Sequence, residues 1–313
     1  AERGVEVRVL IDAVGARYSV PPMAAGLRRL GVEVAHFMPM SFPWRTRFVN
    51  LRNHRKILVV DGRIGFTGGV GIADPWLGDG LQADRWRDMH FRVAGPVVAQ
   101  MQSVFNDNWV KVTGEILNGP TYYPPIEPIG SAAAQMFASS PRGGAESMHL
   151  MYLLSLAAAQ ETIDIVAAYF VPDKLTASAL EDALTRGVRV RLLLPGGKTD
   201  SVIVWLASRG FWQRLLQKGA DIHVYNPAML HTKMMIVDQQ IVSVGSTNFD
   251  SRSFSLNDEA NLNVYDQKFA EHLTRVFESD LAHSDTIDPE QWRLRPWSQK
   301  ILERVVALLN PQL

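Results

Sequence analysis

Two short stretches of this chain carry the same reactive side chains at the same spacing. The first runs His54, Arg55, Lys56, then Asp61 after four intervening residues and Gly68-Gly69 after six more. The second runs His231, Thr232, Lys233, then Asp238 and Gly245-Ser246 with identical spacers. A single His-x-Lys carries no information; a duplicated one offers two imidazoles and two ammonium groups to a common site. An imidazole attacks or moves protons near neutral pH, and a lysine holds the non-bridging oxygens of a phosphate as charge builds on them. Together they make a set for phosphoryl transfer that needs no metal.

The elements around these residues must aim them. Residues 56–60 and 64–67 are β-rich runs on either side of Asp61-Gly62, a strong two-residue hairpin signal. Residues 234–237 and 241–244 repeat the pattern around Asp238-Gln239-Gln240. Side chains at i and i+2 of a strand share a face, so His54 points with Lys56 and His231 with Lys233. The glycines after each hairpin permit close approach of a ligand or another backbone. Asp61 and Asp238 begin or sit in the turns and are read as structural, through turn hydrogen bonds.

The repeat extends beyond the motifs. Residues 3–10 match residues 186–193, and residues 26–37 echo 216–225 as a helix end followed by a strand. Strands alternate with helices, so an α/β fold is expected: two similar halves, each a mixed, largely parallel sheet with helices on its faces. Residues 118–130 are rich in proline and glycine and read as the linker, giving halves at 1–125 and 126–313. The second half carries a helix–strand–helix block, roughly 146–185, ahead of its repeat; the first half starts almost at the matching point. The first half is therefore expected to be incomplete at its N-terminus, with the natural protein extending upstream.

At these residues the chain resembles the phospholipase D superfamily, defined by the HxKx4Dx6G(G/S) signature. Further stretches resemble bacterial cardiolipin synthases: Asn53 to Lys56, Trp86-Arg87-Asp88, Trp109 with Thr113-Gly114-Glu115, residues 169–173, Met229-Leu230-His231, residues 248–254 and residues 256–262. The resemblance implies phospholipase D-like halves related by a pseudo-two-fold, with one active site between them. It implies a phosphohistidine intermediate formed by one histidine while the other works as acid and then base. His54 is the favoured nucleophile and His231 the favoured acid/base, with the reverse assignment open. Lys56 and Lys233, with Asn248 and Ser246, would bind phosphate. Asp88 and Glu259, which follow their histidines by 34 and 28 residues, would accept a hydrogen bond from an imidazole and fix its tautomer. One departure stands out. The second motif continues to Asn248, but the first has Gly71 where that asparagine is expected.

Three functions follow. The first is a cardiolipin synthase-like transfer of a phosphatidyl group between two phosphatidylglycerols, releasing glycerol. The second is a phospholipase D-type hydrolysis to phosphatidic acid, or transfer to another alcohol. The third is lipid binding without catalysis. Composition narrows the partners. With 32 basic and 32 acidic residues the formal charge is zero, so the electrostatic drive of a nucleic-acid binder is missing and no nucleic-acid partner is expected. Hydrophobic residues at 47% and charged residues at 20% are those of an ordinary folded protein with a large core. No cysteine is present, and the eight histidines show no metal-ligand spacing, so neither a cofactor nor a metal is expected.

The expected partners are a phospholipid and a membrane surface, at the cytoplasmic face of the membrane, either peripherally or through a segment upstream of Ala1. No apolar run here reaches the roughly 20 residues of a membrane span. Residues 148–159 read instead as a core helix. Residues 297–309 form an amphipathic helix whose apolar face, Trp297, Ile301, Leu302, Val305, Val306, Leu308 and Leu309, is expected either to dock on the protein or to lie on a bilayer, with Gln299, Lys300, Glu303, Arg304 and Asn310 on the opposite, polar face. Residues 39–44 and Pro75-Trp76-Leu77 are read in the same two ways, as loop anchors or as an apolar rim for acyl chains.

Overall fold

The computed structural model describes residues 1–38, 51–141 and 146–307. Strands β1 (Arg8–Asp12) and β2 (Glu33–Phe37) pair in parallel, with helix α1 (Met23–Arg29) between them in sequence. A two-residue strand β3 (Arg52–Asn53) leads into the hairpin β4 (Ile57–Val60) and β5 (Ile64–Gly68), to which β6 (His90–Ala94) adds antiparallel. Helix α2 (Val97–Thr113) packs on this three-stranded sheet. Residues 118–130 carry no helix or strand.

Next come β7 (Ala133–Ser139), α3 (Ser147–Ala158), β8 (Thr162–Ala167), the short β9 (Phe170–Val171), α4 (Lys174–Thr185), β10 (Arg189–Pro195), α5 (Val202–Gln217) and β11 (Asp221–Tyr225). The second hairpin is β12 (Lys233–Val237) with β13 (Ile241–Gly245). It is followed by β14 (Phe249–Asp250), which pairs with β9, then α6 (Ser251–Ser255) and the long β15 (Asn257–Tyr265). Helix α7 (Gln267–Leu281), β16 (Ser284–Thr286), α8 (Pro289–Leu294) and α9 (Trp297–Ala307) complete the described chain.

The large sheet runs β16-β11-β10-β8-β12-β13-β15, with β3 and β7 both on β15. The mixed α/β architecture is as expected, but its parallel part is narrower. Within the large sheet only β8, β10 and β11, together with the short β15–β3 contact, pair in parallel among the described residues, and outside it the two-stranded pairs β1–β2 and β9–β14 do. The reason is local. Asp61 and Gly62 both have positive φ (54° and 62°), as do Asp238 and Gln239 (both 50°). These left-handed pairs lie in three-residue turns, Asp61–Arg63 between Val60 and Ile64 and Asp238–Gln240 between Val237 and Ile241, one residue longer than the two-residue hairpin expected at Asp61-Gly62; so short a turn can join only antiparallel strands.

Burial fixes the register of the second motif. Met234 and Ile236 face one apolar cluster, Met235 and Val237 the other, and each is at most 2% exposed. Burying such a side chain contributes about 1.5–3 kcal/mol. A one-residue slip would exchange the two faces and swing Lys233 away from its place. Asp238 fastens the far end of the hairpin: its carboxylate accepts from the backbone N–H groups of Gln160, Glu161 and Thr162 at 2.8–2.9 Å. The first motif lies in a thinner setting. Strands β10 and β12 both hydrogen-bond β8, whereas β1 and β4 share no strand among the described residues, and Leu58 and Val60 of β4 are exposed.

The C-terminal helix docks by an unexpected edge. Glu303, read from sequence as part of the polar outer face, is 1% exposed and sits between Arg209 and Arg295 at 2.8 Å from each. Arg209 in turn lies over the rings of Trp205 and Trp292. Gly210 lets α9 come close, since a Cβ there would be 3.1 Å from that of Ala307. With the ion pair inside, Trp297, Ile301, Leu302 and Val305 point outward and are exposed.

Candidate active site

The two motifs are wired to each other, not each within itself. Strand β3 pairs with the start of β15, Asn53 opposite Asp258, and the His54 N–H donates to the Asp258 carbonyl at 2.9 Å. That contact sets His54 beside Glu259. In the same manner Arg87 bridges Leu230 in parallel, and the His231 N–H donates to the Arg87 carbonyl at 2.7 Å. This sets His231 beside Asp88. His54 Nδ1 therefore lies 3.0 Å from both Glu259 oxygens, and His231 Nδ1 lies 2.8 Å from Asp88 Oδ2. Each imidazole is oriented by the acid that follows the other motif. A carboxylate only accepts, so both Nδ1 atoms carry the proton and both Nε2 atoms are left for chemistry.

Lysines flank both rings. Lys233 Nζ is 3.1 Å from His231 Nε2 and donates to the His231 carbonyl at 2.6 Å; Lys56 Nζ donates to the His54 carbonyl at 3.1 Å. Burial dominates the electrostatics. It lowers both lysines, against the pull of Asp88 and Glu259, and brings Lys233 to about 7. Burial also lowers both imidazoles, and with the nearby Lys233 charge it takes His231 to about 3. Burial pushes the carboxyls of Asp88 and Glu259 up, but the histidines bonded to them bring both below the ordinary range. The site thus holds neutral imidazoles, ionised acids and two lysines whose charged form burial disfavours, an arrangement in which an anion would favour the ammonium form of both.

Of the remaining predicted residues, Asn248 is 5% exposed and its buried Oδ1 has no hydrogen-bond partner among the described residues. Ser246, expected at the phosphate, is placed differently. It is fully buried, and its hydroxyl donates to Glu259 Oε2 at 2.6 Å. Asn257, not singled out from sequence, donates to Glu259 Oε1 at 3.0 Å. Asp61 and Asp238 occupy the hairpin turns. Arg55, the residue inside the first motif, ties its strand to the Glu259 and Ser139 carbonyls.

Trp76 and Trp86 form a wall that the motifs did not reveal. Trp76 meets the His231 ring edge-on with centroids 5.4 Å apart, Trp86 lies 5.1 Å from it, and the two indoles are 4.4 Å apart. Trp76 is thus a loop anchor turned into the site, while its neighbours Leu77 and Ile72 are exposed. Residues 39–44, the other proposed rim, lie outside the described residues.

The chain is similar to known proteins in sequence and in fold. A family model described as "Cardiolipin synthase, PLD-like domain" matches residues 152–281. A cardiolipin synthase of Geobacillus kaustophilus is 38% identical over 100% of this chain and 62% of its own length. A cardiolipin synthase 2 of Bacillus cereus is 37% identical over 100% of this chain and 61% of its own. The chain thus spans about three fifths of the length of these curated relatives. Among solved structures, a phosphatidylserine synthase of Haemophilus influenzae superposes with a TM-score of 0.72, covering 98% of this chain and 82% of that one. At 14% identity that likeness marks a common fold.

Proposed function

We propose that the chain, which is similar in sequence to the cardiolipin synthases of the phospholipase D superfamily, serves a phosphatidyltransferase that joins two phosphatidylglycerols into cardiolipin and glycerol. The observation that carries this reading is the crossed pair of His–carboxylate contacts, with a lysine beside each ring.

In the first step His54 Nε2 attacks the phosphorus of one phosphatidylglycerol. An N–P bond forms, the P–O bond to the headgroup glycerol breaks, and His231 Nε2 gives its proton to the departing oxygen. In the second step a headgroup hydroxyl of another phosphatidylglycerol gives its proton to His231 Nε2 and attacks phosphorus. The N–P bond breaks and cardiolipin leaves. Lys56 and Lys233 balance the charge on the non-bridging oxygens, and Asn248 offers its side-chain amide to the same region. The bound diester brings the negative charge that favours protonation of His231, whose ring is otherwise neutral. Water in place of the second lipid would give phosphatidic acid.

The test is to incubate the natural full-length protein with phosphatidylglycerol vesicles and follow lipids and glycerol by mass spectrometry. Cardiolipin and glycerol in equal amounts are expected. Phosphatidic acid as the main product would make it a hydrolase, and vesicle binding without turnover would leave only the lipid-binding reading.

A membrane surface is part of the same proposal. The outward apolar face of α9 supports it, because Trp297, Ile301 and Val305 remain exposed with the docking ion pair turned inward. Ile301→Glu with Val305→Glu is expected to weaken vesicle sedimentation about tenfold or more, from the loss of apolar burial. Unchanged sedimentation would remove α9 from the membrane contact.

A further inference from the structure

Asp88 and Glu259 occupy equivalent places, yet different donors hold them. In the second motif the Ser246 N–H donates to the Ala260 carbonyl, and in the first the Gly69 N–H donates to the Met89 carbonyl. Asp88 thus matches Glu259, Gly69 matches Ser246, and Gly71 matches Asn248. Glu259, the longer acid, takes the Ser246 hydroxyl at 2.6 Å. Asp88 is one methylene shorter, and its carboxylate sits so near the backbone that a Cβ at Gly69 would lie 2.2 Å from Oδ1. A serine has no room there. Instead Trp76 Nε1 donates to Asp88 Oδ2 at 2.9 Å, the same oxygen that accepts from His231, while Oδ1 accepts from the Met89 N–H at 2.8 Å. The indole fits because position 71 is glycine: a Cβ at Gly71 would be 2.9 Å from the Trp76 ring.

We propose that Trp76 is the positioning residue of the His231–Asp88 pair, its indole N–H doing for Asp88 what the Ser246 hydroxyl does for Glu259, in a space that Gly69 and Gly71 leave open. This rests on the phosphatidyltransferase reading for its effect on turnover. The departure at Gly71 is then one half of a local exchange, glycine with tryptophan in place of an amide. The same ring packs edge-on against His231, so the exchange makes the two histidines unequal: His231 stands against two indoles, whereas His54 has a side chain 29% exposed.

Trp76→Phe keeps an aromatic ring beside His231 and removes the donor to Asp88, together with part of the ring surface. In lipid-free protein labelled at histidine nitrogens, the His231 imidazole resonances and their titration should move, while those of His54 stay in place. In the turnover assay kcat should fall about tenfold, the scale of one hydrogen bond to a charged group, with KM nearly constant. Gly71→Ala, which crowds the same indole, should reproduce the His231 shift. Thermal melts of both variants show that the fold is intact. His231 resonances unchanged in Trp76→Phe would overturn the proposal. If they move but wild-type protein makes no cardiolipin, the positioning role stands and the transferase reading fails.

Discussion

His54→Ala and His231→Ala are each expected to lower phosphatidylglycerol turnover by on the order of 10⁴-fold or more, because each removes one member of a coupled pair. The acids left behind keep other donors: Ser246 and Asn257 for Glu259, Trp76 and the Met89 N–H for Asp88. The fold should therefore survive, and melting curves check that. The two variants separate on a lipid whose headgroup is p-nitrophenol. Such a leaving group needs little help from a proton donor, so the acid variant recovers and the nucleophile variant does not. With His54 as nucleophile, His231→Ala should release p-nitrophenolate in a burst of about one per site, then stall without its base. His54→Ala should show no burst. The opposite pattern would exchange the two roles, and full activity in both variants would sink the catalytic reading altogether.

Much of this site was legible from local chemistry. The positive-φ turn at Asp61-Gly62 follows from residue types that tolerate it, whereas Gln239 in the second turn is no such type, and both hairpins put each lysine next to its own histidine. Spacing of i and i+2 needs no tertiary information. The crossing does need it. Glu259 lies behind His54 because two residues of β3 pair with β15 across about 200 positions of chain, and no local pattern encodes that contact. Ser246 looked like a phosphate ligand because it ends a reactive motif, but the Glu259 carboxylate claims its hydroxyl. Trp76 looked equally like an apolar rim and like a loop anchor, because an aromatic in a loop fits both. The signal that could have found it was the conjunction of Gly69, Gly71 and a nearby tryptophan, a vacancy and something to fill it. Amphipathicity likewise showed that α9 has an apolar face. It could not show that Arg209 and Arg295 would draw Glu303 inward and turn that face to the outside.

The kcat/KM of the enzyme should decline above about pH 7, and Lys233→Arg should abolish that decline. Burial lowers the Lys233 ammonium to about 7, with Lys56 adding to the effect and Asp88 and Glu259 opposing it. The sign follows directly. Below pH 7 Lys233 is a cation and attracts the diester; above it the amine is neutral, and one of two balancing charges is lost. Since kcat/KM reports the free enzyme, the decline should approach about tenfold per pH unit. Under saturating lipid the bound phosphate restores a favourable partner for the cation, so the same limb in kcat should move to higher pH. His231, which burial and the Lys233 charge lower to about 3, cannot supply a limb near pH 7 in kcat/KM as its own free-enzyme ionisation. A guanidinium stays protonated throughout. Lys233→Arg therefore loses absolute rate, because a larger planar group replaces an ammonium buried 3.1 Å from His231 Nε2, yet its profile stays flat through pH 9. A limb that persists unchanged in Lys233→Arg would assign the ionisation to Lys56, whose own lowering by burial makes it the next cation in the site to lose its charge.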